Sequence, residues 1–206
     1  MSKNSTRRER EKLRHRNEIL GAAEAIFADK GFHRCTMEEV AKKAEFSVGT
    51  IYNLFSSKDL LYRCLIEQRC CELRDQVKTT LDIVNDPLQQ IKAYIDLKIK
   101  LCYQYVNFVT LYTRERLGDR FSNHVIWRET VAPIYKDALG QITNAFRAGI
   151  EQGTFRPELD PADLTIALEG LTDGFMYEWL TSAEDFSFIN KQEAITQIFF
   201  DGVCQV

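Results

Sequence analysis

Proline and glycine are scarce in this chain, at 4 and 10 of 206 residues. No alternating runs rich in Val, Ile and Thr stand between turn signals, so no strand-built fold is indicated. Histidine is rarer still: His15, His33 and His124 are scattered. No nucleophile-plus-base pair, Gly-rich phosphate loop or metal-ligand spacing accompanies them, which leaves no catalytic site, no metal and no cofactor to argue for. The six cysteines (Cys35, Cys64, Cys70, Cys71, Cys102, Cys204) lack any CxxC pair and read as reduced thiols of a cytoplasmic protein. The adjacent Cys70 and Cys71 keep a redox-sensing alternative open. The longest mostly apolar stretch, Tyr103 to Tyr112, is interrupted by Gln104, Asn107 and Thr110. That is well short of the ~20 apolar residues a membrane helix needs, so no membrane partner is expected. The charged N-terminus has no apolar signal core behind it.

What the chain does have is charge, unevenly placed. Its net charge of −3 argues against a nucleic-acid partner only until it is divided. Residues 1–63 hold 13 Lys/Arg and 9 Asp/Glu, a net of +4, and residues 64–206 hold 14 and 21, a net of −7. A basic head on an acidic body suits a protein that touches a polyanion at one end.

Helical periodicity dominates, and the fold class is all-α. Residues 1–12 read as a polar, mobile arm. A first helix is predicted from about Leu13 to Lys30, with Leu13, Ile19, Leu20, Ala23, Ile26 and Phe27 on its apolar face and Gly31 as its stop. Thr36-Met37-Glu38-Glu39 is a capping box. Ser47 caps a second short helix with Val48, Ile51, Tyr52, Leu54 and Phe55, and Ser56-Ser57-Lys58-Asp59 opens a longer one toward Asp75 or beyond. Three helix starts with linkers this short are the layout of a helix-turn-helix, at about residues 36–55. Further helices are predicted at 88–116, 120–127, 133–152, 161–181 and 191–203. Gly153 to Pro157 forms a turn, and Asp160 is a cap with Pro161 at the first helical position.

A recognition helix must be short and close to the groove floor. Ser47, Val48, Gly49 and Thr50 are small enough for that. Thr36, Ser47, Thr50, Tyr52 and Lys58 carry groups that meet phosphates or base edges, Asn53 can bond a base edge, and the arm adds Lys3, Arg7, Arg8, Arg10, Lys12, Arg14 and Arg16. Thr36 and Ser47 serve equally well as plain caps, and Ile51, Leu54 and Phe55 as core.

The stretch Ile19 to Phe32 resembles the first helix of the TetR family of repressors. Thr36 to Ala44 resembles that family's second helix, Ser47 to Phe55 its recognition helix, and Lys58-Asp-Leu-Leu61 the start of its fourth. The resemblance covers about residues 13–65. It implies a three-helix DNA-binding head, a helical effector-binding body and dimerisation through the last two helices. It also implies DNA contacts at Thr36, Ser47, Val48, Thr50, Tyr52, Asn53 and Lys58. The chain departs from the family at Glu45, where Gly is common in the turn and eases a left-handed backbone.

These readings divide the chain at 1–56 (arm and helix-turn-helix) and 57–206 (effector binding and dimerisation). The expected function is a ligand-responsive transcriptional repressor, cytoplasmic and not an enzyme. Its expected partners are palindromic double-stranded DNA, a small hydrophobic effector and a second copy of the chain. A helical protein–protein adaptor is the rival reading. Tyr94, Leu97, Leu101, Tyr105, Phe108 and Tyr112 form an apolar stripe along one predicted helix, either core or pocket lining. The effector candidates are Tyr105, Phe108, Tyr112, Trp127, Phe175 and Trp179, with Gln104, Asn107, Arg114, His124 and Asp173 as polar anchors. The dimer candidates are Gly170, Leu171, Gly174, Ile195 and Phe199, the two glycines permitting close helix packing.

Overall fold

Where the chain places a short oxygen-bearing side chain before an apolar period, a helix starts, and the computed structural model shows the outcome. It describes residues 7–117, 127–182 and 187–203. Among these there are nine α-helices and no strand: α1 Arg7–Lys30, α2 Met37–Ala44, α3 Val48–Leu54, α4 Lys58–Asp82, α5 Pro87–Gln104, α6 Val106–Leu117, α7 Ala132–Glu151, α8 Pro161–Thr181 and α9 Gln192–Val203. No helix among the described residues is long and apolar enough to cross a membrane. The contacts divide the chain into two compact units, Met1–Arg69 with Asn107–Ile126, and Cys70–Val106 with Trp127–Val206.

The first unit is built around α1. Its helix begins at Arg7, so residues 7–12 are helical rather than a mobile arm. The cause is the run of strong helix formers (Arg, Glu, Lys, Leu), helped by i,i+4 pairing of the kind Arg14 makes with Glu18 at 3.8 Å. The helix stops where expected: Gly31 takes φ 77° and its N–H reaches the carbonyl of Phe27 at 2.8 Å. Ile19, Leu20, Ala23 and Phe27 of α1 are buried with Val40 and Ala41 of α2, Ile51 of α3, Phe55, and Leu61, Tyr62, Leu65 and Ile66 of α4. The Tyr62 ring stands edge-on to Phe27 at 5.2 Å and to Phe32 at 5.0 Å. Beside this apolar core, Arg69 Nε donates to the buried Glu24 carboxylate at 2.7 Å and ties α4 to α1.

The second unit starts at a cap. Asp86 accepts from the Gln89 N–H at 2.8 Å, and Pro87 takes the first turn of α5. The single helix predicted over 88–116 is two helices. Tyr105, at φ −117° and ψ 40°, closes α5, and α6 opens at Val106. Val106, Val109 and Thr110 are β-branched and weak helix formers, so little propensity holds the two segments in line. The Tyr105 hydroxyl, meanwhile, accepts from Gln76 Nε2 of α4 at 3.3 Å. Residues 120–126 of the helix predicted at 120–127 lie outside the described residues, and Trp127–Val131 is one wide π-helical turn leading into α7. Asp160 caps α8 as read, accepting from Ala162 N–H at 2.8 Å, with Pro161 behind it.

An aromatic core closes this unit. Phe146 of α7 meets Phe155 at 5.4 Å and Phe199 of α9 at 5.8 Å. Phe155 reaches this position because Gly153 turns the chain at φ 75° and Gly149 clears its path. A Cβ on Gly149 would lie 2.3 Å from the Phe155 ring and 3.2 Å from Pro87 Cβ. Gly149→Ala is therefore expected to destabilise the body by about 1–3 kcal/mol through overpacking, read as a fall in the urea midpoint. An unchanged midpoint would mean that Phe155 is not fixed against α7.

Candidate functional site

The reading surface is assembled by caps. Thr36 Oγ1 accepts from the Glu39 N–H at 3.2 Å, and Glu39 Oε2 accepts from the Thr36 N–H at 3.0 Å, completing the capping box of α2. Lys30 Nζ donates to the other Glu39 oxygen at 2.6 Å and, with the Thr36 bond, holds that carboxyl below its usual range. Ser47 Oγ accepts from the Thr50 N–H at 3.1 Å and shares a hydrogen bond with the Thr50 hydroxyl at 2.8 Å. Behind α3, Ile51 and Phe55 are wholly buried. In front, Thr36, Ser47, Gly49, Tyr52 and Asn53 are exposed, with Val48 and Thr50 half-buried beside them. A Cβ on Gly49 would meet only Ser47 Oγ, at 3.8 Å, so packing within the chain does not require glycine there.

The turn between the two helices is a Schellman motif. Glu45 takes the left-handed conformation at φ 61°, its N–H reaches the Lys42 carbonyl at 3.4 Å, and the Phe46 N–H reaches the Ala41 carbonyl at 3.0 Å. Phe46 then packs edge-on against the His15 ring at 4.9 Å. Lys58 turns inward: its ammonium donates to the carbonyls of Phe32 and Cys35, both at 2.9 Å, approaches that of His33 at 3.4 Å, and lies over the Phe32 ring. In this arrangement it straps the loop before α2 and has no N–H left for a phosphate. Of the basic arm, Arg7, Arg8, Arg10, Lys12 and Arg14 are exposed on the first turns of α1, and Arg16 sits over the Phe55 ring at 4.9 Å.

The effector candidates are distributed over both units. Phe108 and Tyr112 lie on α6 in the first unit, and Tyr105, Phe175 and Trp179 in the second. Trp179 packs on Tyr103 at 4.6 Å and on Phe188 at 6.1 Å. The side chain of Trp127 and the whole of His124 lie outside the described residues.

A buried polar cluster in the second unit escaped the sequence reading, apart from Asp173 and the stripe residue Tyr94. Tyr94 and Lys98 on α5, Tyr135 on α7, and Glu169 and Asp173 on α8 meet around the Glu169 carboxylate. Glu169 accepts from Tyr94, from Lys98 at 2.9 Å and from Tyr135 at 2.8 Å, and Lys98 pairs with Asp173 at 3.0 Å. Burial opposes ionisation of Glu169, but Lys98 and the three donors outweigh it and hold the carboxyl below its usual range. Burial likewise opposes charge on Lys98, and Glu169 leads the groups that hold it protonated. The signal was available: Glu169 directly follows Leu168 and falls on the core face of α8 with Leu164 and Thr172.

Of the dimer candidates, Ile195 is 0% and Phe199 5% exposed, packed into the core of the chain itself, which corrects their assignment to an interface. Gly170 and Gly174 are exposed, and a Cβ on either would meet nothing within 4 Å. Leu171 lies half-buried next to them. The large apolar residues exposed on the last two helices are Ile166, Tyr177 and Ile198. Burial raises the Cys70 and Cys102 thiols to about 12 and the Cys35 thiol to about 11, which disfavours thiolate chemistry at these positions.

A capped, exposed seven-residue helix, seated on a second helix beside a basic segment, is the layout of a helix-turn-helix. Residues 19–64 match the family described as "Bacterial regulatory proteins, tetR family". The match covers the N-terminal head, and over most of its length the chain is similar to helix-turn-helix transcriptional regulators. It is 29% identical to the HTH-type transcriptional regulator UidR of Escherichia coli K12, over 84% of each chain. It is also 29% identical to the HTH-type transcriptional repressor KstR2 of Mycobacterium tuberculosis, over 70% of this chain and 71% of that one. Its fold matches the transcriptional regulator FadR of Bacillus subtilis, solved in complex with stearoyl-CoA, with a TM-score of 0.78 at 18% identity over 90% of this chain and 98% of that one.

Because Glu45 carries a side chain in the left-handed region, Glu45→Gly is expected to raise stability by about 0.5–1 kcal/mol, the αL penalty less glycine's extra freedom when unfolded. The urea midpoint would rise with its slope unchanged. A fall would show that the Glu45 side chain stabilises the turn.

Proposed function

We propose that the chain is a homodimeric repressor whose two heads bind a palindromic operator and are released by a small, largely hydrophobic effector. The observation that carries this reading is the edge of α3, where Ser47, Gly49, Tyr52 and Asn53 are exposed on a helix anchored from behind by Ile51 and Phe55. Small residues bring the backbone toward the groove floor, and Tyr52 and Asn53 reach phosphate or base edges. Thr36 presents a second contact at the start of α2. Lys58 acts through the strap that sets the α2 loop, and the exposed arginines at the start of α1 add salt-dependent attraction.

Pairing of copies is supported by α8 and α9. Among the described residues, Gly170 and Gly174 serve no close packing, and they share α8 with the exposed Ile166 and Tyr177, while α9 exposes Ile198. A second α8 approaching over the glycines is the arrangement that uses their missing side chains. The head extends to residue 56 and the effector-binding, dimer-forming body follows it, in a protein that works in the cytoplasm beside its operator.

An effector acts by binding better to the body in a state whose head spacing does not fit DNA, and lowers DNA affinity by that difference in binding free energy. Arg114 on α6 donates to the carbonyls of Ala28 and Asp29 at the end of α1, so any shift of α6 bears directly on the head. The effector class follows the relatives in kind: FadR of Bacillus subtilis is named with stearoyl-CoA, and KstR2 is named a repressor.

Tyr52 is 46% exposed, so Tyr52→Ala is expected to leave the melting temperature unchanged while weakening binding to DNA from the chain's own promoter region by about tenfold or more. Fluorescence anisotropy at fixed salt measures this. Undiminished binding, or no binding by the wild type, would contradict the reading and favour the adaptor.

A further inference from the structure

The polar cluster of the body is costly by ordinary standards. Replacing a buried ion pair with well-packed apolar residues is often neutral or stabilising, and α8 already buries Leu164, Leu168 and Met176. Stability alone gives no reason for a carboxylate at Glu169. The hydrogen bonds give another. Both Glu169 oxygens are taken, Oε1 by Tyr94 and Oε2 by Lys98 and Tyr135. Lys98 carries three N–H donors and spends two, on Glu169 and Asp173. The third meets no acceptor among the described residues, on a side chain that is 13% exposed. A donor held this rigidly, on a side chain largely withdrawn from solvent, is prearranged for an acceptor that the described residues do not supply.

The neighbours of Lys98 select that acceptor. Glu169 has already met the ammonium's charge, so an anion at the third N–H would gain little from Lys98 and would be repelled by the carboxylates beside it. A cation would face the ammonium itself. A neutral oxygen accepts the hydrogen bond without either cost. We propose that Lys98, oriented by Glu169 and Asp173, is the polar anchor of the effector site. It donates its third N–H to a neutral carbonyl or hydroxyl oxygen (ketone, ester, thioester or alcohol) on an otherwise apolar molecule. This rests on the sensor reading of the body and adds the chemistry by which it discriminates.

Dodecan-2-one and dodecanoate share a chain and differ at the head group. Isothermal titration of the full-length protein with each is expected to show the ketone binding about tenfold or more tighter, the worth of one charge-assisted hydrogen bond. Lys98→Met would abolish that preference by weakening the ketone alone. Glu169→Gln would shift the preference toward dodecanoate, because the ammonium is then less neutralised; a merely structural role predicts no such reversal. If Lys98→Met does not fold, the ketone-to-carboxylate ratios of the wild type and Glu169→Gln decide. Equal or tighter binding of dodecanoate by the wild type overturns the proposal, as does failure to bind the ketone, or ketone affinity unmoved in Lys98→Met. Release of promoter DNA, followed by anisotropy, separates the two levels: a compound that releases DNA from the wild type and binds Lys98→Met equally well leaves the sensor standing and removes Lys98 as its anchor.

Discussion

A helix of seven residues does not hold itself together in water. Nucleation fixes several dihedral angles for each early hydrogen bond, and isolated helices shorter than about 12–15 residues are marginal even with favourable sequences. The recognition helix α3, Val48–Leu54, depends on what lies around it. Ser47 satisfies an orphan N–H at its start, and Ile51 and Phe55 fix its inner face in the head core. That core rests in turn on Phe27 of α1 and Tyr62 of α4, and Arg69 with Glu24 holds these two helices together. The face proposed to read DNA is thus shaped by the residues packed behind it. Lys58 belongs to the same logic, a cation at the start of α4 spent on three carbonyls to fix the loop that aims α2.

One helix of the body carries two unlike burdens. The inner side of α8 presents Glu169 and Asp173 to Lys98, and its outer side presents Gly170 and Gly174 with Ile166 and Tyr177. Helical geometry makes this natural, since residues 169 and 170 lie about 100° apart around the axis at 3.6 residues per turn. In the proposed mechanism, an occupant of the inner side and a partner on the outer side act on the same rigid element. That gives the effector a short physical route to the spacing of two heads.

The parts of this structure that could be read in the sequence are those governed by near neighbours. Thr36 with Glu39, Ser47, Asp86-Pro87 and Asp160-Pro161 each announce a helix start through groups a few residues apart, and all four caps are present. Gly31 and the left-handed turn at Glu45 are equally local. What escaped depends on distant groups or on competition between weak ones. The break at Tyr105 interrupts a period that continues past it, and its partner Gln76 is 29 residues away. The helical start at Arg7 rests on propensity alone, where composition reads as a solvated arm. Ile195 and Phe199 against Ile166 and Ile198 is a choice of which apolar face turns inward, settled by the aromatic core around Phe146. The Lys98–Glu169 cluster joins residues 71 apart, and only the core phase of a charged residue hinted at it.

In the proposed repressor, two copies of α3 read one DNA duplex together. Hydroxyl-radical footprinting of the purified protein on its own promoter region tests this most directly. Two protected patches on one face of the duplex are expected, with centres about 34–36 Å apart or a multiple of that, appearing at the same protein concentration. A single protected patch, or two that fill independently, would contradict a paired reading head.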